Sequence, residues 1–391
     1  MRLDLLTALT EENGPFLTVS SDVSRVDVAG AREVELRWEA AVRELTAAGA
    51  PPEVVGQVGE LVTARTGRSG RVGRLVVATR DRVVLDLVLP EPPPRDHARW
   101  GHLPCLLPVF RSLSSTTRYA VARVDRSGAD VEVVGLLGQT TQAETVNGTD
   151  DVVHKVPGGG WAQRRYQARV EDSWQHNASA VARELDAIVR RDRPQLVLLE
   201  GDEQAMTLLQ EHAGHELASR LVRLRTGGRA DGTSPEAEQE AITAAVVQHV
   251  RQQRQPLVER FAGALARQQE GVDGRAAVVD ALRRGQVEEL LLHDDPGSEA
   301  MLWAGEEPLQ IGVSREDAVT AGAREPRKEP ADAVLVWAAV SSGAGVTMLD
   351  PDDPQLTEGS GALLRWSDPS TPHVGAPSMP GHGQGPGSAA R

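Results

Sequence analysis

Short apolar runs separated by polar, glycine-rich and proline-rich breaks recur along the whole chain, the spacing of strands interleaved with helices. Phe16–Ser20 is a short apolar run, and Ala31–Ala47 repeats Val34, Trp38, Val42 and Leu45 on one helical face. Strand runs follow at Arg74–Thr79 and Arg82–Leu89 around a polar turn at Arg80 and Asp81, and the Pro92-Pro93-Pro94 cluster stops regular structure. Tyr119–Val124 and Val131–Leu136, joined by Asp125-Arg126-Ser127-Gly128, have the pattern of a hairpin. After a polar stretch to Asp151 come Val152–Pro157, a glycine triplet and a helix-compatible segment from Trp161 to Arg191. Leu196–Leu199 is a fully apolar strand that ends at Gly201-Asp202, where Asp202 is placed to cap a helix beginning at Glu203. Ser219–Leu224 predicts another strand. Further on, Pro235–Gln269 and Arg275–Arg284 read as helices. Val287–Leu292, Ala333–Val340 and Gly345–Leu349 read as strands, with Gly343-Ala344-Gly345 as a hairpin turn.

This order predicts a multidomain chain of α+β and α/β character. The 391 residues exceed what one core serves. Residues 1–113 form a first, mixed α/β domain and 114–226 a second. Residues 227–370 form a third, opened by the glycine-rich connector 227–234. Residues 371–391 are glycine- and proline-rich, and a disordered tail is expected there.

Composition narrows the function. One cysteine, Cys105, excludes an internal disulfide and a cysteine-cluster zinc site, and with no partner to activate it a buried or neutral thiol is expected. No apolar run approaches the ~20 residues that cross a bilayer. The opening residues turn acidic at Glu11-Glu12 before a leader could form, so a reducing cytoplasm is the expected location and no membrane partner is expected. The net charge is −14, and 227–391 alone carry 14 basic and 25 acidic side chains. Such a chain cannot bind RNA by its overall field, so any such contact is local.

One segment has the required local character. From His154 to Arg169 the sequence contains Lys155, Arg164, Arg165 and Arg169 and no acid. Gly158, Gly159 and Gly160 permit close backbone approach, and exposed N–H groups at a helix start favour phosphate. Arg165 and Arg169 lie four apart and share a helix face, while Trp161 and Tyr166 offer rings on which a base can stack. The plainer reading of the same spacing is a loop followed by a solvated amphipathic helix. The segment is not a P-loop, because no Gly-Lys-Ser/Thr ends it.

The three-part layout, with Gly159-Gly160-Trp161-Ala162-Gln163-Arg164-Arg165-Tyr166 and Arg169 at its centre, resembles the bacterial relatives of the archaeo-eukaryotic peptide-chain release factor and Pelota. Among them it is most similar to the actinobacterial branch related to the ribosome-hibernation factor Balon. The resemblance implies an RNase-H-like middle domain whose glycine loop enters the peptidyl transferase centre. It also implies an α/β/α ribosomal-protein-like C-terminal domain that contacts the GTPase-associated region and translational GTPases, and delivery by or association with elongation factor Tu. Release factors carry Gly-Gly-Gln, the glutamine positioning the hydrolytic water. Here Trp161 follows the glycines and Gln163 comes two positions later.

The expectation is therefore a ribosome-binding hibernation or stress factor that occupies the A-site region without releasing peptide, with no cofactor, no metal and no catalytic residue. Lys155, Gly158, Gly159, Gly160, Trp161, Gln163, Arg164, Arg165, Tyr166 and Arg169 would meet ribosomal RNA. Its rivals are a peptidyl-tRNA hydrolase or rescue factor using Gln163, and a non-enzymatic interaction module. Weaker candidates are the carboxylates Asp125, Asp130, Glu132 and Asp186 as a two-metal nuclease site, and His212 with His215 as two metal ligands on one helix. His293-Asp294-Asp295 reads as a turn after a strand. Arg220, Arg223, Arg225 and Arg229 form a second basic patch, equally readable as a protected strand edge.

Overall fold

The computed structural model describes residues 6–26, 29–68, 70–147, 161–224, 234–295, 297–368 and 371, with 161–173 described as helical backbone alone. Among the described residues it has mixed α/β structure with four sheets, and these residues divide into two compact units: Asn13–Leu257, and those before Asn13 together with those from Val258 onward. A short helix α1 (Thr7–Thr10) opens the chain.

Within Asn13–Leu257 the first layer pair joins β1 (Phe16–Asp22), α2 (Gly30–Ala47), α3 (Pro52–Thr63), β2 (Gly73–Ala78), β3 (Val83–Leu89) and β4 (His97–Gly101). The sheet order is β3-β2-β1-β4, antiparallel throughout. Leu17 and Val19 on β1 pack with Val34 and Leu45 of α2 and Val54, Val58 and Val62 of α3. That single face explains why α2 has the periodicity seen in the sequence. α3, for which no element was expected, follows a double proline; Pro52 occupies the first helical turn, where a missing N–H costs nothing. The carbonyls of Leu61 and Thr63 at its end accept from Arg74 and Arg25. After α4 (Leu107–Leu113) the chain enters the second sheet. Cys105 is buried just before it, and its amide donates to Thr18 Oγ1 at 3.3 Å.

The second sheet is β7-β6-β5-β8-β9, built from β5 (Tyr119–Val124), β6 (Gly128–Val134), β7 (Thr140–Asn147), β8 (Leu196–Gly201) and β9 (Leu221–Arg223). β5 and β6 form the expected hairpin, while β8 runs parallel to β5. β7 is an edge strand whose polar sequence, TTQAETVN, hid it from an apolar pattern. The helices α5 (Trp161–Asp192), α6 (Glu203–His212) and α7 (His215–Ala218) complete the connections. Ala120, Ala122, Val197 and Leu199 face Val181, Leu185 and Ile188 of α5. Val121, Leu196 and Leu198 face Ile242 and Val246 of α8 (Pro235–Ala266) on the opposite side. Two covered faces make β5 and β8 apolar on both sides over most of their length, with Arg123 and Glu200 as the charged exceptions.

The remaining unit contains the sheet β10-β16-β11-β15 and a small sheet β13-β12-β14. Its strands are β10 (Gly271–Asp273), β11 (Val287–His293), β12 (Met301–Ala304), β13 (Ile311–Gly312), β14 (Arg327–Pro330), β15 (Gly345–Leu349) and β16 (Ser360–Leu364). Its helices are α9 (Arg275–Arg283), α10 (Arg315–Thr320) and α11 (Ala331–Ser341). The strand expected at Ala333–Val340 is instead α11, with Ala333 to Ala339 all buried. A run apolar on every side carries no period, and it suits a buried helix as well as a buried strand. Gly343, at φ +66°, then serves as the left-handed C-terminal residue of α11 and not as a hairpin turn. Its amide donates to Val340 O at 3.1 Å, and that of Ala344 to Ala339 O at 2.8 Å.

Candidate functional site

The expected RNA-facing segment lies between β7 and α5. Its loop part, from Val152 through Lys155 to Gly158, Gly159 and Gly160, lies outside the described residues. Trp161, Gln163, Arg164, Arg165, Tyr166 and Arg169 fall on the first turns of α5, so the helix expected there is present. Being four apart, Arg165 and Arg169 stand on one side of it.

The second half of α5 fixes where the first half goes. Asn177 Nδ2 donates to Arg126 O, in the β5–β6 turn, at 3.0 Å. At the other end Arg118, just before β5, donates to Asp192 O at 2.9 Å. The helix thus runs antiparallel to β5 along the sheet, from the turn to the strand's beginning. Trp161 lies sixteen residues before Asn177, and at 1.5 Å per residue the helix axis continues about 24 Å past the turn. On the same scale Arg164, Arg165 and Arg169 lie about 12 to 20 Å beyond it. The first half of α5 is thus a helical arm that continues past the turn.

The turn at the arm's base is tightly specified. Asp125 Oδ1 accepts from Ser127 N at 2.8 Å, Ser127 Oγ at 2.6 Å and Gly128 N at 3.0 Å. Gly201 ends β8 beside it at φ +127°, where a Cβ would stand 1.9 Å from Val124 O; only glycine fits so close an approach. Asp202 caps α6 as the sequence predicts, its Oδ1 accepting from Gln204 N at 2.9 Å and Ala205 N at 3.0 Å. Burial works to raise its carboxyl. The Ala205 amide, the Arg126 guanidinium and the Gln204 amide outweigh that and hold it below the ordinary aspartate value. On the opposite face Arg123 of β5 donates to Glu238 Oε1 of α8 at 2.6 Å.

The nuclease carboxylates do not converge. Asp125 closes the turn, Asp130 accepts from Thr145 Oγ1 at 2.9 Å, Glu132 from Thr140 Oγ1 at 2.6 Å, and Asp186 from Gly214 N at 3.3 Å. Among the described residues no group of three or more His, Cys, Asp or Glu side chains is placed to hold a metal ion. The histidine pair expected on one helix is a correction: α6 stops at His212 and α7 starts at His215, with Ala213 and Gly214 extended between them. Gly214 is held by Asp186 across 28 residues, a contact that local spacing does not reveal. His293 Nε2 lies 3.1 Å from Pro354 O. In the second basic patch Arg220 donates to Pro194 O at 2.8 Å and Glu216 Oε1 at 2.7 Å, and Arg223 Nε to Gln210 Oε1 at 2.7 Å. Those two side chains therefore serve internal ties, while Arg225 and Arg229 lie outside the described residues. No described helix is long and apolar enough to cross a membrane.

Arg126, expected only as a turn residue, meets Trp174 and Asn177 of α5, which no motif marked. The available signal was a lone tryptophan in the otherwise polar run Glu171-Asp172-Ser173-Trp174-Gln175-His176-Asn177.

Comparison with known families agrees with the resemblance at this part of the chain. Residues 118–267, which include the glycine-tryptophan segment and all of α5, match the family model of bacterial archaeo-eukaryotic release factor family 2. Over that span the chain is release-factor-like. An uncharacterized protein of Mycobacterium tuberculosis, Rv2629 in strain H37Rv, is 27% identical over 379 residues, covering 94% of this chain and 97% of that one. Among solved structures, Archaeoglobus fulgidus Pelota aligns over 93% of this chain and 92% of its own, at 14% identity and TM-score 0.35. Saccharomyces cerevisiae Dom34, described as a translation termination-like factor, aligns over 77% of this chain and 81% of its own, at 12% identity and TM-score 0.35.

Proposed function

We propose that this protein is a cytoplasmic translation factor that binds the bacterial ribosome in the A-site region and stabilises idle or stressed ribosomes without releasing nascent peptide. The observation that carries the reading is the acid-free basic segment at the start of α5, inside the span that matches the release-factor family model. Lys155, Arg164, Arg165 and Arg169 neutralise ribosomal RNA phosphates, Gly158, Gly159 and Gly160 permit backbone approach, and Trp161 or Tyr166 stacks on a base. Delivery by, or association with, elongation factor Tu accompanies this reading. Peptide release needs a polar group that orients water at the ester carbon. Trp161 supplies one N–H donor and no acceptor, so it cannot take the part that the amide of Gly-Gly-Gln plays.

The test has two arms. Co-sedimentation with purified ribosomes at low salt is expected for the unaltered protein. It is expected to disappear when Arg164, Arg165 and Arg169 are all replaced by Glu, with circular dichroism unchanged. Retained binding would move the contact elsewhere on the protein. In the second arm, excess protein is expected to release no peptide from ribosome-bound peptidyl-tRNA. Release that Gln163→Ala abolishes would replace this mechanism with that of a rescue hydrolase.

A further inference from the structure

The base of the α5 arm is held by a side chain outside the basic motif. Arg126, in the β5–β6 turn, is engaged by three residues. Its guanidinium carbon lies 4.3 Å from the centre of the Trp174 ring. Its Nε donates to Asp202 Oδ2 at 3.1 Å, and its carbonyl oxygen accepts from Asn177 Nδ2 at 3.0 Å. Trp174 lines, with Ala178, Val181, Ala205 and Leu208, a crevice of about 10 Å³. That is room for one water at most, so the crevice is no ligand pocket.

These contacts exceed what the turn itself requires. Asp125 already closes it with three hydrogen bonds, and the hairpin register of β5 and β6 runs up to Val124 and Ala129 without help from α5. What the extra contacts do is join turn and helix at two successive points of α5, Trp174 and Asn177, at the place where the helix leaves the sheet. An arginine spanning an aromatic face and a carboxylate defines an orientation, since the guanidinium is planar and its donors are fixed in a fork.

We propose that Arg126 is a positioning residue. Clamped between Trp174 and Asp202, it sets the direction in which the first half of α5 leaves the sheet, and so where Arg164, Arg165 and Arg169 are presented. Its use rests on the ribosome-binding reading above; the clamp itself does not.

The test uses the full chain with Arg126→Ala, Trp174→Leu and Arg126→Lys. Hydrogen–deuterium exchange of residues 161–176 is expected to rise about fivefold or more in the first two variants. Exchange in β5, β8 and residues 181–192 is expected to stay unchanged, and ribosome affinity is expected to fall by a similar factor. Arg126→Lys keeps the charge toward Asp202 but loses the flat face, and should fall between. If Arg126→Ala fails to fold, Trp174→Leu, which keeps an apolar side chain at the crevice, supplies the same comparison. A rise spread evenly over the whole domain, no change in 161–176, or a local rise with unaltered ribosome affinity each overturns the proposal. If the unaltered protein does not bind ribosomes, the ribosome reading fails by itself, and the exchange pattern still decides the clamp.

Discussion

At the scale of single residues, Asp202 does two jobs with one carboxylate. Oδ1 satisfies two amides at the start of α6 and Oδ2 receives Arg126. Replacing it by Ala removes the helix cap, and at neutral pH this is expected to cost about 1 to 2 kcal/mol in urea unfolding. The pH dependence has a definite sign. Because the folded carboxyl is held below its ordinary value, its contribution is present above the unfolded pKa and is lost as pH falls through the folded one. The difference between wild type and Asp202→Ala should therefore stay constant from about pH 7 to 5 and shrink below about pH 4. A gap that widens on acidification would show that the carboxylate is not the stabilising form.

At the scale of elements, α8 is the least conventional helix. It runs from Pro235 to Ala266 with Pro256 inside it, and the boundary between the two compact units falls directly after that proline, between Leu257 and Val258. Proline has no N–H, so the hydrogen bond that the Gln252 carbonyl would accept from position 256 cannot form, and the ring crowds the preceding turn. Pro256 is exposed, so its side chain contributes little packing to offset this. Pro256→Ala is expected to stabilise the protein by about 1 to 3 kcal/mol, read as a higher urea midpoint. An unchanged midpoint would mean that the helix has already accommodated the proline without loss.

At the scale of the whole molecule, the charge distribution decides how RNA binding can work. The chain carries 42 basic against 56 acidic side chains, so its mean field repels a phosphate backbone. Binding through Lys155, Arg164, Arg165 and Arg169 would involve about four phosphates. The logarithm of the ribosome association constant should then fall with the logarithm of salt at a slope of roughly −3 to −4. Replacing one of these arginines by Gln should reduce the slope by about 1. A slope near zero would indicate that protein–protein contact, not phosphate, holds the complex.

The sequence by itself determined what short-range physics can encode. The α2 face, the β5–β6 hairpin, the Asp202 cap and the continuous helix from Trp161 were all legible, because periodicity, turn residues and caps act over a few positions. The glycine, tryptophan and arginine motif is local in the same way, its members being neighbours in the chain. Tertiary structure alone decided the rest. α11 became a helix because an apolar run without a period takes its form from the layers around it. β7 became a strand because β6 offered an edge to a polar sequence. His212 and His215 were parted by a break in the helix at Ala213 and Gly214, where Asp186 of α5 holds Gly214. Arg126 met Trp174, Asn177 and Asp202 across 48 to 76 positions of sequence. Side chains that distant are brought together by the packing of α5 on the sheet, and no local pattern records which arginine the helix will find there.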